Sequence, residues 1–458
     1  MKPNEFDPSS LEAEMMCERI DGNTRRGRPA SPMRDGSWRA VLLVAVFGLL
    51  LGPSVSHAQL DICGCEAAPS LGTFDTSDPT TYPPGTTVVS GFNIIIPLPE
   101  DGILIFDAFS VTTNEFGGAV SVQFEPNAAN TPVTVLVKGD ATIGGSSSMT
   151  LGGQAGTPGS FGAAGVGGLG GPGGFRGGDA AFELVNLAND GGAGFGPGGG
   201  AAGTASPLAF GGDGVVVGAV DLLPLVGGSG GGGGASADPD AACAGGGGGG
   251  GGGAILLAAN GTITINSGLY AQGGVGGFVP FSSTCASRGG DGAGGSIRLL
   301  ADTIGGSGFI FAGAIRMEAL NDAFPANNTT PAASRVPVPG PLTDPLMPSI
   351  AFTEVNGETV SVANGALLSE SPQGVFGVVD VVLPAPGVAT FNLATSGVPT
   401  GTTVEVTAKS RLGGGVVVTS TTLAPGSCNG AGDCASAVAF DLQAGAYVVE
   451  ARATFEVP

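Results

Sequence analysis

The stretch from Gly245 to Gly274 constrains this 458-residue chain more than any other. It consists of nine consecutive glycines followed by Ala254-Ile-Leu-Leu-Ala-Ala-Asn-Gly-Thr-Ile-Thr-Ile-Asn-Ser-Gly-Leu-Tyr-Ala-Gln-Gly-Gly. Three short apolar pieces are cut apart by Asn and Gly, residues that supply left-handed turn conformations at low cost. Ile263 and Ile265 alternate with Thr262 and Thr264, a period of two that buries one face of a strand. No such piece is long enough to make a core by itself, so it needs copies of itself to pack against.

The copies are present. A gapless shift of 120 positions carries Val135 onto Ile255, Val137 onto Leu257, Asp140 onto Asn260, Thr142 onto Thr262, Ile143 onto Ile263, Met149 onto Leu269 and Gly153 onto Gly273. A further copy starts 42 residues on, with Ile297 and Leu299 in the places of Ile255 and Leu257, and Phe309 and Phe311 near those of Leu269 and Ala271. Ile315 and Met317 begin another. Self-similarity of this kind is the signature of stacked strands that pair rung upon rung. The expectation is an all-β chain whose residues 86–320 form a parallel solenoid. The long Gly-rich stretches 152–253 and 274–295 read as loop excursions that pack beside it or move freely. Apolar islands at Phe182 to Leu187 and Val215 to Val226 read as further strands or edge cover.

Glycine (87) and proline (33) make about a quarter of the chain, which brings low complexity into question. Disorder, however, goes with low hydrophobicity and dense charge. Here only 12% of residues are charged and the mean hydropathy is positive. The net charge of −22 disfavours nucleic acid and anionic membrane surfaces as partners. From Gln59 onward the nine Lys and Arg are scattered, with only Lys409 and Arg411 close together.

The N-terminus reads as an export signal. Ala40 to Leu51 is an unbroken apolar run behind Arg34 and Arg39, ended by Gly52-Pro53 and followed by Ser56-His57-Ala58, which predicts cleavage after Ala58. The run is too short to span a bilayer, which takes about 20 apolar residues. No stable transmembrane segment is expected after cleavage, and Met33 is a second possible start. Residues 1–58 would thus be leader and 59–85 a lead-in. Residues 321–349, rich in proline, read as a linker. Residues 350–458 carry about seven apolar runs at the spacing of a β-sandwich: Val360/Val362, Val375 to Leu383, Ala389/Phe391/Leu393, Val404/Val406, Val416/Val418, Val438/Phe440/Leu442 and Tyr447 to Phe455.

Two resemblances sharpen these expectations. Asp101-Gly-Ile-Leu-Ile-Phe106 and Pro126-Asn-Ala-Ala-Asn-Thr-Pro-Val133 resemble the opening of secreted bacterial Gly-rich proteins with right-handed β-helices, similar in architecture to the pectate-lyase-like superfamily. Gly445-Ala-Tyr-Val-Val-Glu-Ala-Arg-Ala-Thr454 resembles the penultimate strand of immunoglobulin-like and fibronectin-like bacterial modules, with Tyr447 where a tyrosine corner would sit.

Six cysteines follow the leader in what should be an oxidising compartment. Cys428 and Cys434 flank a Gly/Asn/Asp turn and suit a hairpin staple, while Cys243 and Cys285 bracket the central repeat and could join. Cys63 and Cys65 are left over. One intervening residue disfavours a mutual bridge, so pairing between chains or on a metal is the alternative. Metal is weakly supported, because four ligands are wanted and the only histidine, His57, leaves with the leader.

Catalytic chemistry is hard to assemble from what remains. Serines have no histidine to activate them. The glycine runs are not followed by the lysine of a phosphate cradle. Gly-Gly-Asp-Gly at 211 and 289 lacks the order of calcium-binding nonapeptides. Asp179, Asp190, Asp213, Asp291 and Asp302 sit near glycines, where a pair could hydrolyse a glycosidic bond, but Asp in such places more often caps turns. Sugar binding usually uses aromatic faces, and besides phenylalanine only Tyr82, Tyr270 and Tyr447 are offered. The expectation is an exported structural or adhesive protein with no cofactor and no metal, with polysaccharide or cell-surface proteins as partners. The alternative is a carbohydrate-active β-helix enzyme, a lyase or glycosidase working through loop carboxylates.

Overall fold

The computed structural model describes residues 61–455 apart from 128–129, 161, 182–188, 238–242, 280–284, 343–347, 360–362, 369–372, 411–415 and 429–432. The export signal, its cleavage point after Ala58 and the 182–187 island lie outside the described residues. What is described is nearly all β, with three single-turn 3-10 segments and no α-helix.

Residues 73–336 build two largely parallel sheets. In the larger, Val133–Val137, Ala254–Ile265, Ser296–Gly305 and Ala314–Asp322 lie side by side, so that Val133, Ile255, Ile297 and Ile315 form one column. In the smaller, Ser121–Glu125, Ser148–Thr150, Gly268–Tyr270 and Phe309–Phe311 do the same through Val122, Met149, Leu269 and Ile310. The alternation read from sequence holds. Ile263, Ile265, Ile297 and Leu299 are fully buried and, with Phe74, Phe106, Phe109 and Met149, fill one continuous core between the sheets.

The register differs from the gapless repeat. Val135 pairs with Leu257 and Ile143 with Ile265, an offset two residues longer than expected, whereas Met149 pairs with Leu269 as expected. A slip of two keeps every side chain on its face, so period-two patterning cannot detect it; a slip of one is not silent. A bulge between Ala259 and Thr262 shortens the next offset by one, so the buried residue over Leu269 is Ile310, while Phe309 is 52% exposed. The proline-rich stretch 321–349 does more than link: Thr329–Thr330 and Ser334–Val336 each add a strand to a parallel sheet.

The outer face of the larger sheet is also covered. Leu136, Leu256, Ala258 and Leu300 are buried beneath Ile62, Cys63 and Cys65, with Leu225 and Leu342 alongside. Beside them Arg298 and Glu318 are both buried and joined at 2.9 Å, and Glu318 takes a second bond from Arg316 at 2.6 Å. Arg298 also donates to the carbonyls of Pro341 and Leu342, and the Gly340 N–H donates to Glu318. A buried ion pair is tolerable only when so fully bonded.

Residues 349–455 form antiparallel sheets of four and five strands. Phe352, Phe391 and Phe440 from the first and Val404, Val406, Val449 and Ala451 from the second share one core. Ser349–Val355, not anticipated from the sequence, pairs with Gly387–Ser396.

The Gly-rich stretches are neither free loops nor ordinary strands. Ten extended segments (151–157, 165–171, 175–181, 190–196, 198–204, 209–215, 228–234, 245–253, 271–277 and 287–293) run alongside one another, joined by main-chain hydrogen bonds that recur every third residue. Gly165, Gly168 and Gly171 donate to Gly245, Gly248 and Gly251; these in turn donate to Ala181, Gly178 and Phe175. Gly246, Gly249 and Gly252 donate to Ser287, Gly290 and Ala293 and accept from Gly234, Gly231 and Gly228. Gly247, Gly250 and Gly253 donate to Thr157, Gln154 and Leu151. Gly277 and Gly274 complete the set by donating to Gly247 and Gly250. Three residue phases, each bonding two neighbours, surround the nine-glycine run with six segments.

An extended chain with three residues per turn and no positive φ in that run is a polyproline II helix. Segment 228–234 is a second centre, which shares two of its neighbours with the first. It also bonds 190–196, 198–204 and 209–215. The connections define a cross-section of three rows: 165–171, 175–181 and 190–196 along one face, 271–277, 287–293 and 209–215 along the other, and the remaining four between.

Candidate binding face of the glycine bundle

The packing dictates where side chains can stand. A Cβ on Gly247, Gly248, Gly249 or Gly250 would overlap the carbonyls of Val166, Gly231, Gly274 and Leu169 respectively. In the flanking segments two residues of each turn meet the same barrier and only the third faces outward. Hence Gln272-Gly-Gly-Val275-Gly-Gly-Phe278, Arg288-Gly-Gly-Asp291 and Phe210-Gly-Gly-Asp213 on one face, and Val166-Gly-Gly-Leu169 and Arg176-Gly-Gly-Asp179 on the other. This x-Gly-Gly spacing was readable in the sequence and is the signal that a reading of glycine as loop passes over.

Hydrogen bonds fix how the first face is laid out. Gly289 N–H donates to Gly277 and Gly211 N–H to Arg288, which puts Phe278, Arg288 and Phe210 at one level on three adjacent segments. Gly292 donates to Gly274 and Gly214 to Asp291, which puts Val275, Asp291 and Asp213 at the next level. Phe210 and Phe278 are 68% and 61% exposed. The opposite face shares the plan in part, with Leu169, Arg176 and Phe195 at one level and Val166 and Asp179 at the other, but its aromatic ring is buried, 5.5 Å from the Arg176 guanidinium, and not exposed.

Four of the five aspartates singled out from the sequence lie on these faces, where each takes a backbone N–H from an adjoining segment: Asp179 from Gly167, Asp190 from Ala205, Asp213 from Asp291 and Asp291 from Gly276, at 2.7–2.8 Å. Outward N–H groups at the rim of a bundle would otherwise lack a partner. Arg176 and Arg288 bond Asp179 and Asp291 three residues along, at 2.6 and 3.5 Å. Asp302 stands apart, exposed on a strand of the larger sheet, with Thr303 as its hydrogen-bond donor.

Cys243 and Cys285, at the ends of segments 245–253 and 287–293, stand at disulfide distance with Cα atoms 6.0 Å apart, and so do Cys428 and Cys434 at 3.9 Å. Contrary to expectation, Cys63 and Cys65 are bonded to each other, with Cα atoms 5.1 Å apart. Gly64 makes this possible through its left-handed φ of +58°. Asp61, Cys63 and Cys65 are the cluster closest to a metal-ligand set among the described residues. Sulfurs joined in a disulfide are not thiolates, however, so one carboxylate is the only strong donor left.

No family model, curated protein or solved structure matches this chain.

Proposed function

We propose that this chain is an exported, non-enzymatic structural or adhesive protein of the cell surface, in which a right-handed parallel β-solenoid and an immunoglobulin-like sandwich carry the glycine bundle as a rigid display face. The observation that carries the reading is the regular array of outward side chains on a face whose segments are tied to their neighbours by main-chain hydrogen bonds at every third residue. Flat, unbending surfaces suit contact with extended partners, and they lack the concave, convergent polar pocket that small-molecule chemistry uses. In-register columns such as Val133, Ile255, Ile297 and Ile315 support the solenoid. Two antiparallel sheets sharing one core, with the Tyr447 hydroxyl donating to the Gln443 carbonyl at 3.1 Å, support the sandwich and its tyrosine corner. Three disulfides fit an oxidising compartment. Among the described residues no helix is long and apolar enough to cross a membrane.

The test uses the protein from Gln59 onward, incubated with bacterial cell-envelope material and scored for both retention and release of reducing ends. Retention without product is expected. Product formation that disappears in an Asp213→Asn or Asp291→Asn variant would replace this reading with the glycosidase one, and absence of both would remove the adhesive role.

A further inference from the structure

Resting on the adhesive reading, we infer that the face bearing Phe210, Arg288 and Phe278 is a binding site for a linear, uncharged polysaccharide, and that the opposite face is not. The two faces differ in their exposed aromatic residues. Both are built from x-Gly-Gly turns, both carry an Arg-Gly-Gly-Asp segment as the middle of their three segments, and both place a valine and an aspartate at one level; the aromatic of the opposite face, Phe195, is buried against Arg176, so that face exposes no ring among the described residues. Requirements of the bundle account for what they share: the aspartates occupy rim N–H groups and the arginines lie against the aspartates. Nothing in the bundle calls for Phe210 and Phe278. Neither packs into a core, both are more than half exposed, and exposing two large rings on a rigid surface costs solubility.

Their placement has a recognisable use. Phe278 and Phe210 stand on segments two apart with the Arg288 segment between them. If hydrogen-bonded neighbours here lie about 4.8 Å apart, as paired extended chains do, the two segments are separated by roughly 10 Å, about the length of one disaccharide of an extended chain. Sugar rings present apolar C–H faces that lie on aromatic rings, with hydroxyls around the edge that both donate and accept. On the segment between the two phenylalanines the Arg288 guanidinium supplies donors. Asp291 and Asp213, one level away, supply carboxylate acceptors. A row of donors, acceptors and apolar platforms fits a polyhydroxylated chain better than a protein edge strand, for which the backbone of this face has no unpaired ladder to offer.

Charge decides between kinds of polysaccharide. Arg288 is held within 3.5 Å of Asp291, Asp213 lies beside it, and the whole chain carries −22. A polyanion would meet one compensated cation in a repulsive field, whereas a neutral chain would pay no such cost.

The experiment is a depletion assay on insoluble neutral β-glucan and chitin, with an anionic polymer such as polygalacturonate for comparison, using the chain from Gln59. The wild type should be retained on a neutral polymer and not on the anionic one. The Phe210→Ala/Phe278→Ala variant should bind about tenfold or more weakly. The Val166→Ala/Leu169→Ala variant, altered on the opposite face, should bind like wild type. All four positions point to solvent, so thermal unfolding of the variants should match wild type and exclude misfolding as the cause. Equal retention of both double variants would overturn the site while leaving the adhesive reading in place. Retention on envelope material but not on neutral polymers would also overturn the site alone, and retention on nothing would remove both.

Discussion

At the scale of single residues, glycine and glutamate carry the sharpest consequences. Gly248 sits at the centre of the nine-glycine run, where a Cβ would overlap the Gly231 carbonyl on a neighbouring segment that is itself bonded on all sides. Gly248→Ala should therefore lower stability by about 3 kcal/mol, the upper range for overpacking, because backbone cannot yield as a side chain can. Gly305, in an ordinary strand with nothing near its Cβ position, is the control: Gly305→Ala should be neutral or slightly stabilising in the same urea titration. Glu318 adds a pH dependence. Burial by itself would raise its carboxyl, but the bonds from Arg298, Arg316 and the Gly340 N–H outweigh that and hold it below the usual carboxylate value. A carboxylate whose pKa is lower in the folded chain contributes its full stabilisation above the unfolded value, near 4.5, and loses it as pH falls through the lower folded one. Glu318→Gln should therefore be destabilising at pH 7 by about 3 kcal/mol, since it leaves Arg298 buried against a neutral partner. The gap to wild type should narrow in melts recorded below pH 4.5.

At the scale of elements, the bundle obeys a phase rule that an insertion can test. One glycine added between Gly273 and Gly274 would turn Val275 and Phe278 by about 120°, a third of a turn in a three-residue helix, and point them into the carbonyls of neighbouring segments. Three added glycines restore the phase of Val275 and Phe278. The single insertion should lower the unfolding midpoint well below that of the triple one, although it adds less chain. The same rule explains what could be read in advance. Strands such as Ile297/Leu299 and Ile315/Met317 were legible because their cores require period two. Their register was not, because a two-residue offset at Val135 leaves the pattern unchanged and the bulge after Ala259 leaves no mark in composition. The bundle was hidden for a different reason. Glycine is ordinarily read as conformational freedom, and only the spacing of Val166, Leu169 and Pro172, or of Gln272, Val275 and Phe278, betrays an order of period three. The Phe210–Arg288–Phe278 row was further from view, since its members are brought together by hydrogen bonds between segments up to 78 residues apart.

At the scale of the whole molecule, the chain solves a difficulty that its composition creates. Each glycine ordered costs about 1–2 kcal/mol of backbone entropy, more than any other residue, and offers no side chain to bury in return. The bundle recovers this through main-chain pairing, complete along the nine-glycine run, and through approach so close that Cα–H groups rest on carbonyls, contacts open to glycine alone. Order achieved in this way should be visible in hydrogen exchange. The amides of Gly246 to Gly252, each donating to a neighbour in the interior, should exchange as slowly as those of Ile297 and Leu299 in the apolar core, despite a sequence that composition alone would place in a flexible linker. Reduction of the Cys243–Cys285 bridge separates two accounts of that protection. The bridge closes a loop of 42 residues and is worth roughly 4 kcal/mol in chain entropy. If the six surrounding segments hold the run in place, the Cys243→Ser/Cys285→Ser variant should unfold at a lower urea concentration yet keep the slow amides of Gly248 and Gly249 under native conditions. If those amides exchange within seconds once the bridge is gone, the glycine segments depend on the disulfide for their order, and the flat face could not serve as a rigid platform without it.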